Sequence, residues 1–275
     1  MFLAGSFWEG SMQRSELRIY TSLMLAGMLA VLAFLAGAHI IHTRQPMGRY
    51  TLTDLGAVAQ ESSLAHGGAP SVNRIRQKVA WKHLPGGRGV QAYILDHGKR
   101  RSLGTLGGKV SYPIALNDAG QVAGYSLRSD QSPHAFLWQD GRMLDLGTLG
   151  GRCSWAWDLD WQGHVVGAAD TSSGPTQAFV WNQGVMTDLG TLGGGESAAR
   201  SLNARGQIVG EAETATGDLH AFLYSDGVMT DLNTLTAMPR DWVLTSATRI
   251  DSAGRIWGEG IYQNKTRSFL LTPVS

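Results

Sequence analysis

Residues 102–108 read SLGTLGG, and the same heptapeptide returns as DLGTLGG at 145–151 and 188–194. A degraded copy, DLNTLTA, occupies 231–237, and the step between successive copies is 43 residues each time. A constant step over three intervals makes this a tandem-repeat chain. In such chains each unit is one supersecondary element that buries its apolar face only against its neighbours. The question is then what one unit folds into.

Within the unit that starts at 102, turn chemistry separates four short apolar segments: KVSYPIAL (109–116), QVAGYSL (121–127), HAFLW (134–138) and RMLDL (142–146). Asn117-Asp118-Ala119-Gly120 is a turn whose glycine recurs at Gly163, Gly206 and Gly254, with Arg76 in its place in the first copy. Asp140-Gly141 is a hairpin signal, repeated as Gln183-Gly184 and Asp226-Gly227. The third segment centres on an aromatic residue: Tyr93, Phe136, Phe179, Phe222 and Phe269. Small or apolar residues flank it on both sides, which predicts a strand covered on both faces. Four strands in about 43 residues is the size of one β-propeller blade.

The phase of the end copies predicts how the array closes. RYTLTDLG (49–56) reads as a fourth strand with no first three before it. TRSFLLTPV (266–274) reads as a third strand with no fourth after it. The expected fold is all-β, a five-bladed propeller in which strand 49–56 completes the last blade and removes the exposed edges of an open array.

Composition agrees. The chain has 36 glycines in 275 residues and only 16% charged residues, which suits many tight turns. A net charge of +1 gives no electrostatic footprint for nucleic acid. The single Cys153 excludes an intramolecular disulfide framework and a cysteine-rich zinc site, and is expected to be a small buried hydrophobe.

Residues 19–41 carry no Lys, Arg, Asp or Glu, a length sufficient to span a bilayer as a helix. Arg14 and Arg18 precede the run, and Ala36-Gly37-Ala38 offers a small-x-small cleavage site. Initiation at Met12 gives a signal peptide of ordinary proportions ending at Ala38; the alternative is an uncleaved membrane anchor. Either way, residues 1–44 are an export or anchoring segment with a short linker, and 45–275 form the repeat domain outside the cytoplasm.

His-Ala-Phe, Asp-Leu-Gly-Thr-Leu-Gly-Gly and Asn-Asp-x-Gly-Gln-Val-x-Gly together resemble the HAF-repeat family of bacterial extracellular repeat proteins. The resemblance covers about residues 50–273 and is strongest over 102–230. It implies export and a repeat architecture, and it brings no catalytic residues.

Scaffold positions are those that repeat; candidates for function are those that depart. His134 and His220 start equivalent strands whose other copies begin with Gln91, Gln177 or Arg267, so no metal site is expected. Asp145, Asp188 and Asp231 have Ser102 as an equivalent, which points to a turn role. The GTLGG loops lack GxxxxGK[ST], so they are not read as phosphate cradles, and no cofactor is expected. The largest departure is RCSWAWDLDWQG at 152–163. Trp155 stands where other units have Tyr112 and Ala198, Trp157 where they have Ile114 and Arg200, Asp158 for Ala115 and Ser201, and Trp161 for Asp118 and Ala204. Either these residues form a platform suited to a sugar ring, or Trp155 and Trp157 fill space between blades. The expected function is a non-catalytic, exported, monomeric module for binding or adhesion, with a glycan or cell-surface ligand. The membrane is a partner only through an uncleaved N-terminus. The alternatives are a purely structural surface protein and a glycoside-active enzyme. The latter requires two carboxylates about 5–10 Å apart, for which Asp158 and Asp241 are the candidates.

Overall fold

The computed structural model describes residues 50–57, 72–235 and 241–274, all within one compact unit, Gly48–Ser275. The export segment read at 1–44 lies outside the described residues, as do residues 236–240. Among the described residues no helix is long and apolar enough to cross a membrane.

Strands follow the turn signals. In chain order they are β1 (Tyr50–Ala57), β2 (Lys78–His83), β3 (Val90–Asp96), β4 (Lys99–Ser102), β5 (Gly107–Leu116), β6 (Val122–Arg128), β7 (Pro133–Gln139), β8 (Arg142–Asp145), β9 (Gly150–Leu159) and β10 (Val165–Thr171). They continue with β11 (Thr176–Asn182), β12 (Val185–Asp188), β13 (Gly193–Leu202), β14 (Ile208–Thr214), β15 (Leu219–Ser225), β16 (Val228–Asp231), β17 (Trp242–Ile250), β18 (Ile256–Tyr262) and β19 (Lys265–Pro273). Antiparallel four-stranded sheets are built from β9–β12 and from β13–β16, and a third has the order β1-β19-β18-β17. Strands β5–β8 repeat the pattern and join β2–β4 through one parallel bridge, Val90 to Val110, making a seven-stranded sheet.

The N-terminal strand does pair with the C-terminal one. In that pairing Asp54 lies opposite Phe269, as Asp145 lies opposite Phe136 and Asp188 opposite Phe179. Packing runs from each sheet to the next in sequence order, with the long first strands β5, β9, β13 and β17 touching in succession as innermost strands would. No packing of comparable extent joins β17–β19 to β2–β4 among the described residues. The connection between β1 and Val72 lies outside them.

Three devices recur along the array. The turn between first and second strands is closed by the asparagine at its head: Asn117 N–H donates to the Gln121 carbonyl, and Gly120 N–H to the Asn117 carbonyl. Arg76 takes the place of the turn glycine with φ +62°, so this copy keeps the turn with a side chain in the left-handed region. The second device is a bulge. In β9 one residue, Trp157, is skipped by the pairing with β10, which pushes the Trp155 carbonyl toward Gly167. A Cβ on Gly167 would lie 1.9 Å from that oxygen and 2.9 Å from the Phe179 ring. Gly124, Gly210 and Gly258 meet the carbonyls of Tyr112, Ala198 and Ser246 in the same way. The fully buried Phe136, Phe179, Phe222 and Phe269 sit opposite these four glycines in the pairing of second and third strands.

The third device staples one sheet to the next. Because β8 has only four residues, it ends before it can pair with Ala135, whose backbone groups are buried. The Leu146 N–H donates to the Ala135 carbonyl, and the Ala135 N–H donates to Ser154 Oγ (2.9 Å) on the next sheet. Ser154 in turn donates to the Gly147 carbonyl (2.6 Å). Ser111 and Ser197 repeat both bonds with Ala92 and Gly104, and with Ala178 and Gly190. In the last unit Asn233 does related work, donating to the Leu244 carbonyl and accepting from its N–H.

Two measurements test these devices. Gly167→Ala is expected to destabilise by about 3 kcal/mol, since backbone must move to admit one methyl. Ser154→Ala strands a buried N–H and should cost about 1–3 kcal/mol. Urea unfolding with an unchanged slope reads both.

Candidate functional site

The bulge that demands Gly167 also aims side chains. Its extra residues in successive sheets are Ile114, Trp157, Arg200 and Thr248. Trp157 of the β9–β12 sheet and Arg200 of the β13–β16 sheet meet across the seam, the guanidinium 4.1 Å from the ring centroid. Arg200 also forms an ion pair with Glu211 on β14, its Nε donating to Oε1 at 2.7 Å. Glu211 is only 7% exposed, and its other oxygen accepts from Ser246 Oγ at 2.8 Å. Its buried charge is thus paired and hydrogen-bonded, as a desolvated carboxylate requires.

The cross-strand pair beside the bulge varies from sheet to sheet: Tyr112 with Tyr125, Trp155 with Ala168, Ala198 with Glu211, Ser246 with Glu259. Trp81, opposite Ala92, holds the second-strand place in the β2–β4 group, as Tyr125 does opposite Ala135. Each second strand packs on the first strand of the next sheet, so these positions face each other across seams. Trp81 meets Tyr112 with ring centroids 5.4 Å apart, and Glu211 meets Ser246. Between β10 and β13 the facing residues are Ala168 and Ala198. Two short side chains where other seams have bulky or polar pairs leave a cleft of about 320 Å³. Trp155 and Trp157 line it on one side; Ala198, Arg200 and Glu211 line it on the other, with Glu196 and Leu219 completing the wall.

The structure therefore brings two of the four candidates together. Trp155 and Trp157 share the cleft. Trp161 is in the turn after β9, 64% exposed, and does not line it. Asp158 does not line it either. Its Oδ2 accepts from Ser201 Oγ (2.8 Å) and the Leu202 N–H (3.2 Å), bonding β9 to β13. The neighbouring seams are bonded differently: Asn73, Asn117 and Asn203 each donate from the side-chain amide to the carbonyl of the next sheet's turn. Asp160 stands in the asparagine's place and cannot donate. It accepts instead from His164 N–H (3.0 Å) and pairs with the His164 ring (2.8 Å). Asp158 thus supplies the seam bond that Asp160 cannot, which is a structural duty. Asp241 is exposed just before β17 and lies outside the cleft lining.

Sequence reasoning missed Arg200 and Glu211. The signal was present: Arg200 is the bulge residue equivalent to Trp157, and Glu211 has Tyr125 and Ala168 as equivalents. Finding it required the cross-strand register.

The recurrent polar residues hold the scaffold. Asp145 accepts from the Gly147 N–H at 2.9 Å, and Asp54 and Asp188 accept likewise from Gly56 and Gly190. His134 pairs with Asp145, His220 with Asp231 and Arg267 with Asp54, tying third strand to fourth. No cluster of metal-ligating side chains occurs among the described residues. Cys153 is half-buried rather than fully buried, and desolvation pushes its thiol pKa up, away from thiolate reactivity.

No protein-family model matches the chain, and no curated protein does. Among solved structures it is similar to TolB from Acinetobacter baumannii, at 16% identity over 75% of this chain and 54% of that one, with a TM-score of 0.44. It is similar to the β-propeller domain of the Trilobed protease from Pyrococcus furiosus, of open velcro topology, at 7% identity over 75% of this chain and 70% of that one, with a TM-score of 0.50. A gluconolactonase from Xanthomonas campestris matches at 13% identity over 83% of this chain and 91% of that one, with a TM-score of 0.35. The chain spans about half the length of TolB. The Pyrococcus likeness bears on fold alone, and it supports a β-propeller.

Burial raises the Asp158 pKa to about 6, against the lowering effect of its bonds from Ser201, Leu202 and Leu159. A carboxyl that holds its proton more tightly folded than unfolded favours the folded state at low pH. That contribution is complete below about pH 4 and is lost as pH rises through 6. A shift of about two units corresponds to about 3 kcal/mol. Relative to Asp158→Asn, the wild type should lose about that much stability between pH 4 and pH 7, measured by urea unfolding at each pH. Parallel pH profiles of the two proteins would contradict the assignment.

Proposed function

We propose that the chain is an exported, non-catalytic binding module: a five-bladed propeller, completed in its last blade by β1, that takes a carbohydrate ring into the cleft between the β9–β12 and β13–β16 sheets. The observation that carries this reading is the gap left by Ala168 and Ala198, a cleft lined by Trp155 and Trp157 beside the Arg200–Glu211 pair. Aromatic faces take the apolar C–H face of a sugar ring. The polar edge of the same cleft supplies donors and acceptors for hydroxyl groups, the usual mix in a specific small-ligand site. Both Glu211 oxygens are engaged in fixed bonds, which suits recognition better than proton transfer. The charge-free run at 19–41 and the resemblance to HAF-repeat proteins support export. The β1–β19 pairing supports the blade count, because it gives the last unit the fourth strand it lacks in sequence.

Residues 45–275, screened on a glycan array and against chromogenic glycosides, are expected to bind carbohydrate without turnover. Trp155→Ala should abolish that binding at unchanged melting temperature, while Trp161→Ala should retain it. Glycoside cleavage would overturn the non-catalytic assignment. Undiminished binding by a folded Trp155→Ala protein would remove the cleft from consideration.

A further inference from the structure

The cleft is small. At about 320 Å³ it lies at the lower end of small-molecule pockets, which run from about 300 to 1,000 Å³, and so it suits a single ring-sized group. The aromatic surface beside it is larger than the cleft. On the side of the earlier sheets, the positions in register with Trp155 and Ala168 are Tyr112 and Tyr125, and before them Trp81. The rings touch in sequence: Trp81 to Tyr112 at 5.4 Å, Tyr112 to Tyr125 at 5.3 Å. β6, which carries Tyr125, packs on β9, which carries Trp155.

We propose that the ligand is an unbranched, neutral oligosaccharide that places one unit in the cleft and lays the following units along Tyr125, Tyr112 and Trp81. This rests on the carbohydrate reading of the cleft. Three observations point to a chain instead of a single sugar. Trp81 remains 44% exposed, so filling the seam does not account for its size, and its equivalents Ala168 and Glu211 show that the scaffold does not require an aromatic there. The row holds the same repeat position as Trp155 and Ala168 in consecutive sheets, so one extended molecule can cross all of them. The strip is also uncharged in character. Strand alternation puts Trp81 and His83 on one face, with rings 5.4 Å apart, and turns Lys82 to the other. Lys82, the strand neighbour of Trp81, thus offers no charge on the ring's face, and a neutral sugar chain needs only the ring faces. At the far wall of the cleft the same position is Glu211, and in the next sheet Glu259, so the aromatic track extends in one direction only.

Calorimetry with cello-, xylo- and chito-oligosaccharides, from disaccharide to hexasaccharide, tests this on residues 45–275. For the series that binds, affinity should rise with chain length over the first few units and then level off. Trp81→Ala should leave the shortest bound oligosaccharide unaffected and weaken the longest about fivefold to tenfold, the worth of one aromatic contact. Trp155→Ala should weaken all lengths. Length-independent affinity in the wild type, or an unchanged affinity of folded Trp81→Ala for the longest chain, overturns the track while leaving the cleft intact. Absence of any carbohydrate binding by the wild type overturns the carbohydrate reading and the track with it. The wild-type length series decides the matter even if Trp81→Ala fails to fold.

Discussion

A carbonyl pressed against a glycine organises the four units that contain β5, β9, β13 and β17. The first strand bulges, its oxygen enters the space where a Cβ would stand on the second strand, and the aromatic ring of the third strand sits over the same glycine. Each part requires the others. A side chain at Gly167 would expel both the carbonyl and the ring; a smaller residue at Phe179 would leave a void over the glycine. The bulge also twists the inner strand and turns its extra residue out of the sheet. A constraint on packing thus fixes one position in each bulged inner strand from which a side chain projects out of the sheet. Those positions carry Trp157 and Arg200.

Seams between sheets are held by polar bonds that the repeats supply in register. The serines of β5, β9 and β13 each satisfy an alanine N–H that the short outer strand leaves unpaired, and the turn asparagine reaches the next turn's carbonyl. These bonds are buried, so leaving one unmade is costly. The third seam loses its asparagine to Asp160 and regains a bond through Asp158. Two acidic residues that depart from the repeat together are one compensated change.

Most of the scaffold was legible in the sequence because each device needs a particular residue. Only glycine fits under the bulge, only a small hydroxyl reaches both Ala135 and Gly147, and the stub at 49–56 announced the strand that pairs with β19. The site was legible in part. Trp155 and Trp157 stood out by size, but so did Trp161, which is merely a turn residue on the surface. Asp158 looked like a ligand group because its partners, Ser201 and Leu202, lie 43 and 44 residues away and only folding brings them near. Arg200 and Glu211 were passed over because charged residues at varied positions resemble ordinary surface. Their pairing depends on a bulge register that no linear alignment of the repeats displays.

The cleft itself was invisible for a deeper reason: it is made by absence. A search for departures from consensus favours large residues replacing small ones. Here the decisive substitutions are the small ones, Ala168 and Ala198, set among equivalents that are aromatic or polar. Trp155 at a seam filled like its neighbour, where Trp81 packs on Tyr112, would be a packing residue. It becomes a binding surface because Ala168, its cross-strand neighbour, and Ala198 of the next sheet are both small. In a chain whose units repeat so closely, a site is created most economically by deleting bulk from one seam and leaving the scaffold bonds untouched. The serine staple runs through Ser197, directly beside Ala198, and is intact. Architecture and recognition are therefore written at adjacent residues of the same strand, which is why the cleft can be opened without weakening the array that holds it.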